Sequence, residues 1–184
     1  MPFVAQTERL CLRSWTESDR DSYARYCNRP RVMKYLGGVQ IAQDLKADIE
    51  WFMECERVYG HTLWVIERKG DNAFLGFTGL DKLLMGSGEI PQHLHGEVEI
   101  GWRLREDAWG RGYASEAARI SLDIAFRIRR IPRIVARVDR RNAASVRILS
   151  KLKLARDRSL EIGDGLHVHV IDRMAWFAYS DRGY

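Results

Sequence analysis

The sequence predicts an α+β fold: one mixed, mostly antiparallel sheet of about six or seven strands with helices on both faces. Two observations carry the prediction. Strand-length runs of alternating or aromatic-rich residues recur along the chain, and helical segments interrupt them irregularly instead of following every strand. A third, a glycine-bearing turn between a strand at Val98–Leu104 and a helix from Tyr113, places a candidate site in that frame. At 184 residues the chain suits one domain and is short for two.

From the N-terminus, Arg9 to Arg13 alternates, with Leu10 and Leu12 on one face, and reads as a strand ending near Ser14. Thr16-Glu-Ser-Asp19 resembles a capping box with Asp in place of Glu and opens a helix carrying Tyr23, Tyr26 and Cys27, which Pro30 punctuates. A second helix spans about Asp44 to Tyr59, with Ile49, Phe52 and Met53 apolar and Gly60 as its left-handed stop. Thr62–Arg68 and Phe74–Leu83 flank Lys69-Gly-Asp-Asn72 and predict an antiparallel hairpin. Met85 to Gly96, with glycines, a proline and two histidines, has no period and predicts a surface loop. After the strand Val98–Leu104 come a helix Tyr113–Arg129, a strand Arg133–Val138 and a helix Ala143–Leu152. A closing hairpin, Ala155–Ile162 with Leu166–Phe177, turns at Gly163-Asp-Gly165.

Composition narrows the function. No apolar run is long enough to span a bilayer, and Met1 to Leu10 lacks the pattern of a signal peptide, so a cytoplasmic location is expected. Cys11, Cys27 and Cys55 are an odd count without a C-x-x-C pair, which argues for reduced thiols and against a disulfide framework or a thiolate zinc site. The net charge of +5 suits an anionic ligand without requiring nucleic acid. Eight arginines between Arg127 and Arg147 nevertheless support a rival class, a basic nucleic-acid or ribosome-binding module. Ile128, Ile131, Ile134, Val135 and Val138 interleave with them, as core residues interleave with a solvated face. His93-x-His95 followed by Glu97 and Glu99 alternates like a set of metal ligands, but the histidines precede Gly96 in the expected loop, so no metal is assigned.

In Trp109-Gly-Arg-Gly-Tyr-Ala114, between strand and helix, small residues let the backbone turn sharply and aim N–H groups outward. Together with the positive end of a helix dipole, such a turn is an anion site, and Gly110 and Gly112 leave room for a phosphate. Gly101, inside Glu99-Ile-Gly-Trp102, marks a bulge or a close approach by a ligand, and Asn142, in Asn142-Ala-Ala-Ser145, stands where an N-cap stands.

In this order, with Thr7-Glu-Arg-Leu10 and Ala108-Trp-Gly-Arg-Gly-Tyr-Ala-Ser-Glu-Ala117, these motifs resemble the GNAT superfamily of acetyl-CoA-dependent N-acetyltransferases from about Thr7 to Phe177. They resemble in particular its ribosomal-protein alanine acetyltransferase branch. The resemblance implies that the amides from Trp109 through Gly110, Arg111, Gly112, Tyr113 and Ala114, with Ser115, bind the coenzyme A pyrophosphate. Trp109 stands where the family usually has Gln or Arg. It also implies that Trp102, Arg103 and Leu104 lie beside the pantetheine arm and that Asn142 meets the pantetheine or phosphate region.

By the same resemblance Glu99 is the candidate general base, with Glu97, two residues away on the same face, as its substitute. A solvated strand face explains the two carboxylates equally well. The tyrosine that protonates the departing thiolate in other branches is Leu149 here, which leaves Ser145 as a candidate acid, against the plainer reading of a first-turn serine with a local hydrogen bond. A family glycine is replaced by Lys153, which puts the local helix ending in question. The expected reaction is acetyl transfer from acetyl-CoA to a primary amine, on a protein N-terminus or a small molecule, and a non-catalytic acyl-CoA sensor is the alternative. A homodimer is compatible with the resemblance.

Overall fold

The structure, a computed structural model, describes residues 3–84, 90–161, 163 and 165–181, which form two compact units. Unit one comprises residues 1–79 and 101–120, and unit two 80–100 and 121–184. The strands form one mixed sheet in the order β1 (Phe3–Gln6), β2 (Leu10–Arg13), β3 (Leu63–Arg68), β4 (Ala73–Lys82), β5 (Val98–Leu104), β6 (Arg133–Asp139), β8 (Leu166–Asp172), β7 (Ala155–Arg156). Eight strands stand where six or seven were expected, the addition being β1 (Phe3–Gln6), antiparallel to β2 (Leu10–Arg13). Its four residues are too few to show a period.

In unit one β2 pairs with β3 (Leu63–Arg68), and β3 with β4 (Ala73–Lys82), all antiparallel. The predicted hairpin is therefore present. Its ladder shifts register between Ile66 and Glu67, beside Gly76, whose φ is 131° and where a Cβ would stand 2.1 Å from the Arg103 carbonyl oxygen. Only glycine fits there. Trp15, Tyr23 and Phe52 pack on Phe77 of β4, with the Trp15 ring stacked at 5.3 Å on Phe52 and edge-on at 5.5 Å to Phe77. Each such pair adds about 0.5–1.5 kcal/mol beyond area burial.

Helix α3 (Ala42–Tyr59) buries Leu45, Ile49, Phe52 and Cys55 and ends at Gly60 with φ 70°, as expected. The first predicted helix is instead broken into three turns. A 3-10 turn at Glu17–Asp19 leads into α1 (Arg20–Ser22) and then a π turn at Tyr23–Cys27, where the Asn28 N–H reaches back to the Tyr23 carbonyl at 3.2 Å. The wide turn leaves both Tyr23 and Cys27 fully buried. Pro30 does more than punctuate, since it opens a short helix α2 (Pro30–Met33) at a position that needs no N–H. Asp19 completes the capping box by accepting from the Thr16 N–H at 2.9 Å. The same carboxylate takes two bonds from the buried Arg13, at 2.7 and 2.8 Å, while Arg13 Nε donates to Glu67 at 2.8 Å.

Unit two is built on β6 (Arg133–Asp139), paired antiparallel with β8 (Leu166–Asp172) from Arg133↔Asp172 to Asp139↔Leu166. Leu83, Leu94, Val135 and Val168 form its core cluster. The predicted closing hairpin is corrected twice. Its first strand shrinks to β7 (Ala155–Arg156), followed by a 3-10 turn at Arg158–Leu160, and its second ends at Asp172. There the Asp172 side chain accepts from the Ala175 N–H at 2.8 Å and starts helix α6 (Arg173–Ser180). That cap turns Trp176 inward, and its Nε1 donates to Asp123 at 3.0 Å. Part of the predicted loop, residues 85–89, Ile162 at the end of the predicted first hairpin strand, and Asp164 of the predicted turn lie outside the described residues.

Helix α5 (Ala143–Lys151) is followed by a left-handed residue that is not glycine, Lys153 itself taking φ 64°. Its ammonium lies 5.6 Å from the Tyr179 ring. Lys153→Gly is expected to raise stability by roughly 0.5–1 kcal/mol, relief of the left-handed strain exceeding the added unfolded-chain entropy. Urea unfolding checks it, and an unchanged midpoint would mean that the ammonium–ring contact offsets the strain.

Candidate active site

Strand β5 (Val98–Leu104) delivers the chain to the glycine-bearing turn. A 3-10 turn at Glu106–Ala108 follows it, then Trp109 in extended conformation, then Gly110 and Gly112 with φ of 74° and 82°. Two left-handed residues in three reverse the backbone into helix α4 (Tyr113–Asp123), and the glycines serve this conformation. The space they leave is open: a Cβ on Gly110 would meet nothing within 4 Å, and one on Gly112 only the Arg9 guanidinium at 3.4 Å. The amides of Tyr113, Ala114 and Ser115, in the first helical turn, have no carbonyl one turn earlier to bond. Trp109, where the family usually has Gln or Arg, donates its indole N–H to the Leu104 carbonyl at 2.9 Å and ties the turn to the strand that precedes it.

What fixes the turn was not legible as chemistry in the sequence. Glu116, in the first turn of α4, accepts from the Thr7 hydroxyl, from the Arg9 amide at 3.1 Å and from Arg9 Nε at 2.7 Å. Arg9 also donates to the Arg111 carbonyl at 3.0 Å and lies 4.7 Å over the Tyr113 ring. Burial alone would raise the Glu116 carboxyl, but these bonds outweigh it and hold the group below the usual carboxylate range. A negative side chain thus sits at the helix start already neutralised by Arg9. The signal was Thr7-Glu-Arg-Leu10, visible only as part of a resemblance.

Upstream of the turn, Thr78 donates its hydroxyl to the Gly101 carbonyl at 2.9 Å, and a Cβ on Gly101 would touch the Leu63 side chain at 3.4 Å. Trp102 and Arg103 are half-buried and Leu104 is buried. These three residues and the turn from Trp109 to Ser115 all fall in unit one.

Glu97, Glu99, Asn142 and Ser145 fall in unit two. Both carboxylates are engaged: Glu97 with Arg133 in a forked pair, and Glu99 with Arg137 at 2.9 and 2.8 Å. Glu99 also accepts from the Arg137 main-chain N–H at 2.9 Å. β5 pairs with β6 in parallel at Glu99↔Val135. Asn142 caps α5, its side-chain oxygen accepting from the Ser145 N–H at 3.2 Å. Leu149, where other branches carry a tyrosine, is buried in the same helix. His93 and His95 bond the carbonyls of Leu160 and Ile90 at 3.1 and 2.9 Å. Of the arginine-rich stretch, Arg127, Arg133, Arg137 and Arg141 pair with carboxylates, so half of the charge that suggested a nucleic-acid surface is already matched.

Residues 9–155 match the acetyltransferase (GNAT) domain. The chain belongs to that family. This GNAT protein is 32% identical over 149 residues to the uncharacterized protein YkkB of Bacillus subtilis, covering 79% of this chain and 81% of that one. It is 28% identical over 183 residues to the uncharacterized N-acetyltransferase p20 of Bacillus licheniformis, covering 97% and 96%. The acetyltransferase from Agrobacterium tumefaciens superposes with a TM-score of 0.79 at 26% identity, covering 93% and 94% of the two chains. The α+β fold and the family expected from the motifs are thereby established, and the protein is an acyl-CoA-dependent transferase. Among the described residues, no helix is long and apolar enough to cross a membrane.

Proposed function

We propose that this GNAT protein transfers an acetyl group from acetyl-CoA to a primary amine by direct attack within a ternary complex, as a single catalytic domain. The observation that carries the reading is the turn at Trp109–Ser115: two left-handed glycines, open space above them, and first-turn amides with no helical acceptor. These donors, with the α4 dipole, hold the pyrophosphate. The main chain of Trp102, Arg103 and Leu104 holds the pantetheine arm, with Asn142 as a further contact.

The amine must lose a proton before or as its nitrogen attacks the thioester carbonyl carbon. The carbon–sulfur bond then breaks, and the amide and the coenzyme A thiolate leave. Glu99 takes the proton through a water, on lone pairs that the Arg137 bonds leave open, and Glu97 is its substitute. A main-chain N–H near Trp102–Leu104 stabilises the oxyanion. With Leu149 in place of a tyrosine, the thiolate leaves unprotonated or takes its proton from Ser145.

Thermal unfolding with acetyl-CoA tests the reading. Ligand at about a hundred times its dissociation constant is expected to stabilise the protein by roughly 2.7 kcal/mol, several degrees for a chain of this size. No shift in large excess of ligand would remove the basis for the assignment. Glu99→Gln is expected to lower the rate of thiol release about a hundredfold near neutral pH without weakening acetyl-CoA binding. An unchanged rate would make Glu99 a strut for Arg137 and not the base.

A further inference from the structure

Unit one contains a guanidinium with no carboxylate against it. Arg103, on β5, is half-buried, and among the described residues no acidic side chain is within ion-pair distance of it. Its Nη1 donates to the Tyr23 hydroxyl at 2.7 Å and to the Gln40 side-chain oxygen at 3.3 Å. Its Cζ lies 5.1 Å from the Phe77 ring and 5.6 Å from the Tyr23 ring. Its Nε is buried and has no hydrogen-bond acceptor among the described residues. Arg13, Arg133 and Arg137, by contrast, each meet a carboxylate directly.

Asp48 lies one group further away. A single oxygen of it accepts from the Tyr23 hydroxyl at 2.5 Å and from Gln40 Nε2 at 3.1 Å, so two neutral side chains stand between it and Arg103. A buried N–H left unpaired costs about 1–3 kcal/mol. The fold accepts that cost at Arg103 while fixing the head group tightly. Gln40 is itself clamped, its main-chain N–H and carbonyl bonded to the Asn28 side chain at 2.8 and 2.9 Å. It belongs to the segment between α2 and α3 in which Leu36, Val39 and Ile41 are 45%, 55% and 65% exposed. Arg103 therefore stands between the strand assigned to the thioester arm and an exposed loop with apolar side chains.

We propose that Arg103 recognises the acceptor: its guanidinium, which has no carboxylate of its own among the described residues, attracts a carboxylate on the amine substrate, so the acceptor class is a primary amine that carries a carboxylate, such as an amino acid. The inference rests on the reading of β5 as the strand that holds the thioester arm. A half-buried guanidinium is screened less by solvent than an exposed one, so its charge-assisted bond to an incoming carboxylate is stronger. A polycationic amine would instead bring like charge toward the guanidinium.

The test compares thiol release from acetyl-CoA with the common amino acids, each beside its own carboxamide, and with spermidine. At least one amino acid is expected to exceed its carboxamide and spermidine by tenfold or more in kcat/KM. Arg103→Gln is expected to bring the acid-to-carboxamide ratio to about one, a ratio read within the variant so that a general loss of activity cancels. Carboxamides or spermidine used as well as the acids, or no acid used at all, overturns the proposal. The wild-type comparison decides even if the variant does not fold. Acetyl-CoA binding, measured separately by thermal shift, distinguishes a failure of this inference from a failure of the transferase reading.

Discussion

Replacing Arg13 by alanine is expected to lower the unfolding free energy by about 3–5 kcal/mol, a large part of the roughly 5–15 kcal/mol that a domain has. The side chain is 7% exposed and is the shared partner of Asp19 and Glu67, so its loss leaves Asp19 buried and negative with only its Thr16 bonds. The pH dependence identifies the cause. Burial alone would push the Asp19 carboxyl up, but the bonds from Arg13 and Thr16 outweigh it and hold it below the usual range. A depressed carboxyl stabilises the folded state above its unfolded pKa, near 3.9, and that contribution is lost as pH falls through the folded value. In Arg13→Ala the burial dominates, and protonation then relieves a penalty. The gap between the two proteins in urea unfolding should therefore narrow from pH 7 to pH 4, and Asp19→Asn in the Arg13→Ala background should recover part of the loss. A gap that stays constant with pH would mean that Arg13 acts by packing and not by charge.

This triad also shows where sequence reading stops. Thr16-Glu-Ser-Asp19 was legible as a capping box because its groups are three residues apart, whereas the role of Arg13 depends on Glu67, which only the pairing of β2 with β3 brings near. Local rules likewise located the turn at Trp109–Ala114, the Asn142 cap and the Gly60 stop, each determined by backbone sign or by a side chain within one turn. They failed at Leu166–Phe177, where apolar alternation continued into a helix and the Asp172 cap was overlooked. They also missed β1, too short to show a period. Glu99 illustrates the remaining gap. Its strand position was readable, but its three bonds to Arg137 came only with the parallel placement of β6.

The second large effect is expected at a residue that touches no substrate. Arg9→Ala should weaken acetyl-CoA binding roughly tenfold to a hundredfold, about 1.4–2.7 kcal/mol, in a protein that still folds. Two things are lost together: the bond to the Arg111 carbonyl that fixes the turn, and the cation that neutralises Glu116. They have opposite signatures when Glu116→Gln is added. If loosening of the turn dominates, the double variant binds no better than Arg9→Ala, because Gln restores no contact to Arg111. If the uncovered charge dominates, removing it from the first turn of α4, beside the amides assigned to the pyrophosphate, recovers affinity, and the pair shows a favourable coupling. The charge should weigh more, because the pyrophosphate and a bare Glu116 carboxylate would compete for the same helix end. Raising ionic strength should then narrow the difference between wild type and Arg9→Ala, since salt screens repulsion at a partly exposed site. Calorimetric titration of the four proteins at two salt concentrations separates the cases. Equal loss in the single and double variants, independent of salt, would reduce Arg9 to a mechanical brace for the turn.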